Sequence, residues 1–222
     1  MRAPRTHLYP LDREKAGVKG GILVETLACV LNGYDRLNLR AGSNVLILGA
    51  GCVALLWTQL MRRSPTTRIF QTELVHSRRE AAGKLGADVV VDPARDDLEA
   101  IVRGQSPGGV DCIIDGTGSA DAIAHALPLL AKGGTLMIFG VCPANERLTV
   151  SPFEMFNNQW SIIASKMPPL RMTRSAKIIE AGIIDSETLV SRVLPLEDIK
   201  RGFGWFNDAK GEAIKMMIDP WL

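Results

Sequence analysis

The chain has 222 residues, 46% of them hydrophobic, and 26 Lys+Arg against 24 Asp+Glu give a formal charge of +2. That length can bury a full core and suggests one domain or one plus an appendage. The balanced charge, with no Lys/Arg run, argues against nucleic acid or an anionic membrane as partner, and no apolar segment reaches the roughly 18 residues of a bilayer span.

Residues 1–7 have no apolar core behind them and do not read as a secretory signal. Residues 1–21, with Pro4, Pro10, Gly17, Gly20 and many charges, predict a connector rather than core. Leu23, Leu27, Val30, Leu31, Tyr34 and Leu37 recur at helical spacing and predict a helix over 22–37. Glu25 lies in its first turn, where a carboxylate suits the helix dipole. The apolar run 45–48 predicts a buried strand that stops at Gly49-Ala50-Gly51, and an apolar helical pattern starts at once. The start of such a helix offers unpaired N–H groups and a positive dipole end, so it attracts an anion. Gly49 permits the sharp turn, Gly51 lets the backbone approach a pyrophosphate, and Ala54 takes the third small position. This is the G-x-G-x-x-A form of the dinucleotide fingerprint, with Cys52 and Val53 opening the helix. Similar turns serve methyltransferases and plain tight connections, so context decides: a second strand should end in an acid about 20 residues on. Residues 68–72 predict that strand, and Glu73 ends it. A carboxylate there can accept both hydroxyls of an adenosine ribose. It would also repel a 2′-phosphate, which favours NAD over NADP.

Beyond it, Ser77 is the expected N-cap of a helix over 77–85, closed by Gly86. Residues 89–91 predict a third strand, 96–102 a helix, 106–109 a turn, and 112–115 a fourth strand ending in Gly116-Thr117-Gly118. A helix over 120–130 places Ile123, Ala126, Leu127 and Leu130 on one face and stops at Lys132-Gly-Gly134. A fifth strand over 135–139 ends at Gly140; a short helix over 153–157, a sixth strand over 161–164 and a helix over 170–181 follow. This alternation predicts an α/β fold: a doubly wound, parallel six-stranded sheet in the order 3-2-1-4-5-6, a Rossmann fold. Ligands of such sheets bind outside the carboxyl ends of the strands, which gathers Gly49, Gly51, Cys52, Val53, Glu73, Thr117, Gly118, Gly140 and Val141 around one crevice. For Thr117 and Val141, ordinary loop filling is the competing reading. The tail departs from the pattern. An alternating stretch over 189–194, a helix over 196–206 and a strand over 212–218 read as pieces of another sheet.

Cys29, Cys52, Cys112 and Cys142 show no C-x-x-C spacing and read as small buried residues in a reducing compartment, consistent with a cytoplasmic protein. His7, His76 and His125 are scattered, and no metal-ligand cluster is visible.

Leu48-Gly-Ala-Gly51, Lys84-Leu-Gly-Ala-Asp88 with Val91-Asp92-Pro93, and Leu130-Ala-Lys-Gly-Gly-Thr-Leu136 with Phe139-Gly-Val141 resemble the cofactor domain of the medium-chain, zinc-type alcohol dehydrogenase superfamily. Val24-Glu-Thr-Leu-Ala28 is similar to its Glu-Pro-Leu-Ala stretch, with Thr26 in place of the proline. Ser151-Pro-Phe-Glu-Met-Phe156 resembles the polyol branch, the sorbitol and arabinitol dehydrogenases, and Leu194-Pro-Leu-Glu-Asp-Ile199 the family's closing segment. The resemblance covers about residues 8–219. It implies NAD-dependent oxidation of a small alcohol or polyol, with hydride passing from the carbinol carbon to the nicotinamide. A non-catalytic dinucleotide-binding protein or subunit is the alternative. By position, Glu73 would hold the ribose and Arg78 would lie near the adenine. Val141 and Ala164-Ser165 would lie near the nicotinamide, and Glu25 would approach a catalytic zinc from its outer shell. Full-length members bind zinc through an N-terminal substrate domain of roughly 130 to 150 residues, inside ordinary domain size. This chain is expected to lack that segment, and no zinc ligand carries over. The resemblance therefore divides the chain into a connector at 1–21, an NAD-binding Rossmann domain at 22–187, and a remnant of the GroES-like catalytic domain at 188–222. Members often pair through the edge strand, which here lies near 161–163 and implies a homo-oligomer.

Overall fold

A computed structural model describes residues 8–166, 171–208 and 212–222. Residues 1–7 of the expected connector, with His7, and Leu170, the expected start of a late helix, lie outside the described residues. The elements are α1 (Arg13–Gly21), α2 (Val24–Arg36), β1 (Ser43–Leu48), α3 (Cys52–Arg62), β2 (Thr66–Thr72), α4 (His76–Leu85), β3 (Val89–Val91) and α5 (Leu98–Gln105). There follow β4 (Val110–Asp115), α6 (Ala120–Ala126), β5 (Leu130–Ile138), α7 (Pro152–Asn158), β6 (Ser161–Ala164), α8 (Met172–Glu180), α9 (Ser186–Leu189), β7 (Val190–Leu194), α10 (Ile199–Asp208) and β8 (Lys215–Ile218).

β1 carries the core. Val45, Leu46, Ile47 and Leu48 are at most 2% exposed, and burial of each such side chain contributes roughly 1.5–3 kcal/mol. Strands apolar on both faces suit a parallel sheet covered on both sides. Six strands pair in parallel in the order β3-β2-β1-β4-β5-β6. The α/β doubly wound fold is therefore observed, with β1 and β4 side by side at the switch point. Trp57 on α3 is wholly buried and meets Phe139 edge-on, ring centres 5.5 Å apart.

The chain divides into two compact units, one over Gly33–Lys166 that holds the six-stranded sheet and one formed by the described residues on either side. The sheet unit is narrower than the 22–187 span expected from sequence, since residues 22–32 and the described residues from 171 to 187 group with the other unit. In the other unit, β7 and β8 form a separate two-stranded parallel sheet, the second sheet expected of the tail. There too, Asp12 N donates to Glu180 Oε1 at 2.8 Å, and Ser175 Oγ donates to the Val24 carbonyl at 2.6 Å.

Several boundaries differ from the sequence expectation, each for a physical reason. Residues 13–21 are not a bare connector, because Asp12 Oδ1 caps α1 by accepting from Glu14 N and Lys15 N. Gly17, at φ 61°, kinks that helix. Ser77 does not cap α4; the helix starts one residue earlier, at His76, with Val75 as an N-cap lacking a side-chain acceptor. α6 stops at Ala126, short of the expected 130, because Pro128 has no N–H and its ring clashes with the preceding turn. A 3-10 turn over Leu127–Leu129 follows, and β5 begins at Leu130, paired with Val110. The tail helix is divided, with a 3-10 turn over Leu196–Asp198 before α10.

Candidate functional site

The turn between β1 and α3 is built as its glycines require. Gly49 has φ 85°, a left-handed conformation, and a Cβ there would lie 3.0 Å from Thr117 Cγ2. Gly51 is different: at φ −70° and ψ 175° it is ordinary extended backbone, and a Cβ there would meet open space. It is the N-cap of α3 and brings no side-chain acceptor to the first amides of that helix. Cys52 and Val53, half-buried, form the first turn.

Glu73 sits just past β2, half-buried, and its carboxylate is already oriented. Oε2 accepts from Ala50 N at 2.7 Å and Oε1 from Val75 N at 2.9 Å. Each oxygen keeps a lone pair for a further donor. Arg79 holds the same corner from behind. Its Nη1 donates to the carbonyls of Glu73 at 2.9 Å and Leu74 at 2.6 Å, and it pairs with Asp92 at 3.1 Å, tying the end of β2 to the end of β3.

On the other side of β1, Asp115 ends β4 and is fully buried. Its Oδ1 accepts from Thr117 N at 2.8 Å, Thr117 Oγ1 at 2.6 Å and Gly118 N at 3.1 Å, so the buried charge is well bonded. Gly140 N donates to the Asp115 carbonyl at 2.9 Å. Gly118, at φ 68°, lies against Val141, where a Cβ would stand 2.6 Å from the Val141 carbonyl oxygen. Val141 is 93% exposed, and Ser165 N donates to the Ile138 carbonyl at 3.2 Å.

A cleft of about 760 Å³ opens at the carboxyl ends of β1, β2, β3 and β4. That is within the usual size range of small-molecule sites. Of the residues singled out from sequence, Gly49, Glu73 and Thr117 line it. Gly118 follows Thr117 in the chain and packs against Val141, and Arg78 stands half-buried in α4; none of these three, nor Gly51, Cys52, Val53, Gly140 or Ser165, lines the cleft. Glu25 belongs to the other unit, where its Oε1 accepts from the Cys29 thiol at 3.4 Å. Burial, and then this carboxylate, push the Cys29 thiol up to about 11. Sequence reasoning missed Leu74, Pro93, Asp96, Asp97, Asp121, His125 and Leu129, which also line the cleft. Five carboxylates line it (Glu73, Asp96, Asp97, Glu99 and Asp121), with His125 as the one basic side chain. Asp97 also caps α5 through Ala100 N; a helix-start signal was legible there, its place on the cleft wall was not.

Only Cys112 of the four cysteines is buried; Cys29, Cys52 and Cys142 are partly exposed, and all four are free thiols. Among the described residues no three His, Cys, Asp or Glu side chains come together as a group that could hold a metal, so zinc does not fit the described residues. Nor is any described helix long and apolar enough to cross a membrane.

A family model described as zinc-binding dehydrogenase matches residues 52–179, more than half of the chain. The chain is 26% identical over 202 residues to D-arabinitol dehydrogenase 1 of Uromyces fabae, an alignment covering 89% of this chain and 57% of that protein. It is 30% identical over 181 residues to D-altritol 5-dehydrogenase of Agrobacterium fabrum, covering 80% and 52%. Among solved structures, a protein of Sinorhizobium meliloti 1021 described as a zinc-binding dehydrogenase bound to NADP superimposes with a TM-score of 0.81 at 31% identity, covering 86% of this chain and 56% of that one. The chain thus spans just over half the length of each of these relatives.

Proposed function

This chain belongs to the zinc-binding dehydrogenase family, and from that premise we propose that it is the cofactor-binding part of an NAD-dependent alcohol or polyol dehydrogenase. Residues 22–187 would carry the dinucleotide, and 188–222 would belong to the part that meets the substrate. The observation that carries the reading is the corner where Gly49, Ala50 and Glu73 meet, with a turn open to an anion on one side and an oriented carboxylate on the other. Bound there, NAD would supply the hydride acceptor for the carbinol carbon of the alcohol. Glu73 accepts the ribose hydroxyls with its remaining lone pairs. The backbone at Gly51, Cys52 and Val53 holds the diphosphate at the start of α3, where the helix dipole favours negative charge. Leu74 and Leu129 give the adenine apolar contact, with Arg78 near its rim. Thr117, Gly118, Val141 and Ser165 border the nicotinamide.

The acidic cleft wall supports NAD over NADP for this chain, although the Sinorhizobium relative is bound to NADP. A 2′-phosphate would face several carboxylates with no Lys or Arg among the described residues that line the cleft, and like charges at close range in a partly desolvated site repel strongly. The names of the two polyol dehydrogenases support a small alcohol or polyol as substrate. No step is assigned to zinc.

Fluorescence titration of the full chain with NADH and NADPH tests the reading. NADH should bind below millimolar concentration and more tightly than NADPH. Glu73→Ala should weaken NADH by roughly 1.5–3 kcal/mol per lost charge-assisted bond at the upper end, and should narrow the preference. Absence of binding at millimolar NADH, or an unchanged Glu73→Ala, rejects it. Oxidation of arabinitol or altritol with NAD, measured as NADH absorbance, separates a dehydrogenase from a dinucleotide-binding protein without turnover.

A further inference from the structure

We infer that Gln71 and Thr58 are positioning residues of the dinucleotide site: they fix the Gly49–Ala50 peptide and, through it, the carboxylate of Glu73. The inference rests on the cofactor reading above.

Gln71 lies inside β2 with no exposed surface, beside Ile69 and Phe70, which are also wholly buried. A buried primary amide is unfavourable unless its groups are bonded. Here they are: Nε2 donates to the Gly49 carbonyl at 2.8 Å, and Oε1 accepts from the Thr58 hydroxyl at 2.7 Å. A carbonyl can only accept, so Gly49 fixes which end of the amide faces the turn. The amide oxygen must then face Thr58, which is also wholly buried. The hydroxyl has one proton, and the Ala54 carbonyl at 2.9 Å is its other acceptor.

Glu73 is two residues along from Gln71, one past the end of β2. Glu73 Oε2 accepts from Ala50 N. The Gly49 carbonyl and the Ala50 N–H are opposite ends of one planar peptide unit. Gln71 and Glu73 therefore grip the same rigid plane from its two ends, and Thr58 keeps Gln71 pointed at it. Without the grip on Gly49, the plane can rotate and carry the Ala50 N–H away from Glu73. The carboxylate would then be left with Val75 N alone. A leucine or methionine would fill the same space, so packing alone does not require an amide here.

Thr58→Val removes the hydroxyl at nearly constant size, Thr58→Ser keeps it, and Gln71→Met keeps the length of the side chain. NADH and NADPH titrations of the full chain, with melting temperatures alongside, read the effect. Thr58→Val and Gln71→Met should each weaken NADH about tenfold, the weight of one hydrogen bond near a charged group, and narrow the NADH-over-NADPH preference. Thr58→Ser should recover most of that affinity. In a Glu73→Ala background Thr58→Val should leave the preference where Glu73→Ala put it, because the lost residue is the one it acts through. The Ala50 amide proton, followed by NMR, should shift in Thr58→Val and return in Thr58→Ser. If Gln71→Met does not fold, the Thr58 pair and the amide shift decide. A parent that binds NADH, with a Thr58→Val variant that keeps both affinities within about twofold, overturns the inference, because two coupled groups must show an interaction energy. A parent that binds neither cofactor overturns the functional reading itself, and this inference with it.

Discussion

At the scale of the residue, two glycines two positions apart do different work. Gly49 needs a left-handed conformation and has Thr117 against it; Gly51 needs neither, since its backbone is ordinary and the space beside it is open. The sequence motif names both but cannot separate a glycine required by the chain from one required by a ligand. The structure allows the separation to be tested. Gly49→Ala should cost about 1–3 kcal/mol of stability, the usual weight of a side chain forced into that region. Gly51→Ala should shift the urea midpoint little, because up to about 1 kcal/mol gained through a stiffer unfolded chain is opposed by alanine being a poorer N-cap than glycine. If the diphosphate passes Gly51 as proposed, the same Gly51→Ala should weaken NADH and a β-branched residue there should abolish binding. Equal losses of stability at both positions would contradict this division. Gln71 was legible in a weaker sense. A lone glutamine in an apolar strand is a polar residue in need of a partner, but Thr58, 13 residues away, is not a pairing that sequence spacing reveals.

At the scale of the element, strands were easier to read than helix ends. A strand buried on both faces announces itself as an apolar run, and the runs at β1 and β4 sit where expected. The ends depend on groups from elsewhere in the chain. Gly133-Gly134 looks like a stop signal, and it does interrupt the ladder: Leu130 pairs with Val110 and Thr135 with Cys112, so the register shifts across 131–134, yet β5 continues beyond the irregularity. Helix interiors raise the same issue for Gly33 on α2, where propensity and packing conflict. Alanine is better than glycine in a helix by about 1 kcal/mol. A Cβ on Gly33, however, would stand 2.6 Å from Trp57 Cζ2 and 3.2 Å from Phe139 Cδ2, inside the edge-on pair that fills this part of the core. Overpacking of this kind costs about 1–3 kcal/mol, so Gly33→Ala should be destabilising on balance. Gly83 on α4 supplies the contrast, since its nearest neighbour would be Val90 Cγ2 at 4.0 Å. Gly83→Ala should follow propensity and raise stability by about 0.5–1 kcal/mol. Melting curves of the two variants should move in opposite directions, and a rise for both would mean that Trp57 yields easily.

At the scale of the whole molecule, the order of the sheet was predictable because alternating strands and helices admit few arrangements. The far wall of the cleft was not, since Asp96, Asp121 and His125 meet Glu73 only once β3 and β4 flank β2 and β1. A buried thiol at the centre of that sheet contributes a pH dependence of stability with a definite sign. Cys112, on β4 between β1 and β5, is 1% exposed. Burial, and then the Asp111 carboxylate, push it from the ordinary thiol value of 9.0 up to about 12. Below pH 9 the thiol is protonated in both the folded and the unfolded chain and contributes no slope. Between pH 9 and about 12 the unfolded chain has lost a proton that the folded chain keeps. Unfolding then releases a proton, and stability falls by at most about 1.4 kcal/mol per pH unit. Tyrosines and lysines titrate in the same range, so the informative quantity is the difference between the parent and Cys112→Ala. At neutral pH the variant should be the less stable of the two, having lost a small buried side chain. As the pH rises past 9, the gap should shrink, because only the parent carries the thiol's contribution. Urea midpoints measured on both proteins from neutral to strongly alkaline pH, with a phosphine reductant present, would check it; curves that stay parallel would show that the buried thiol does not set this limit.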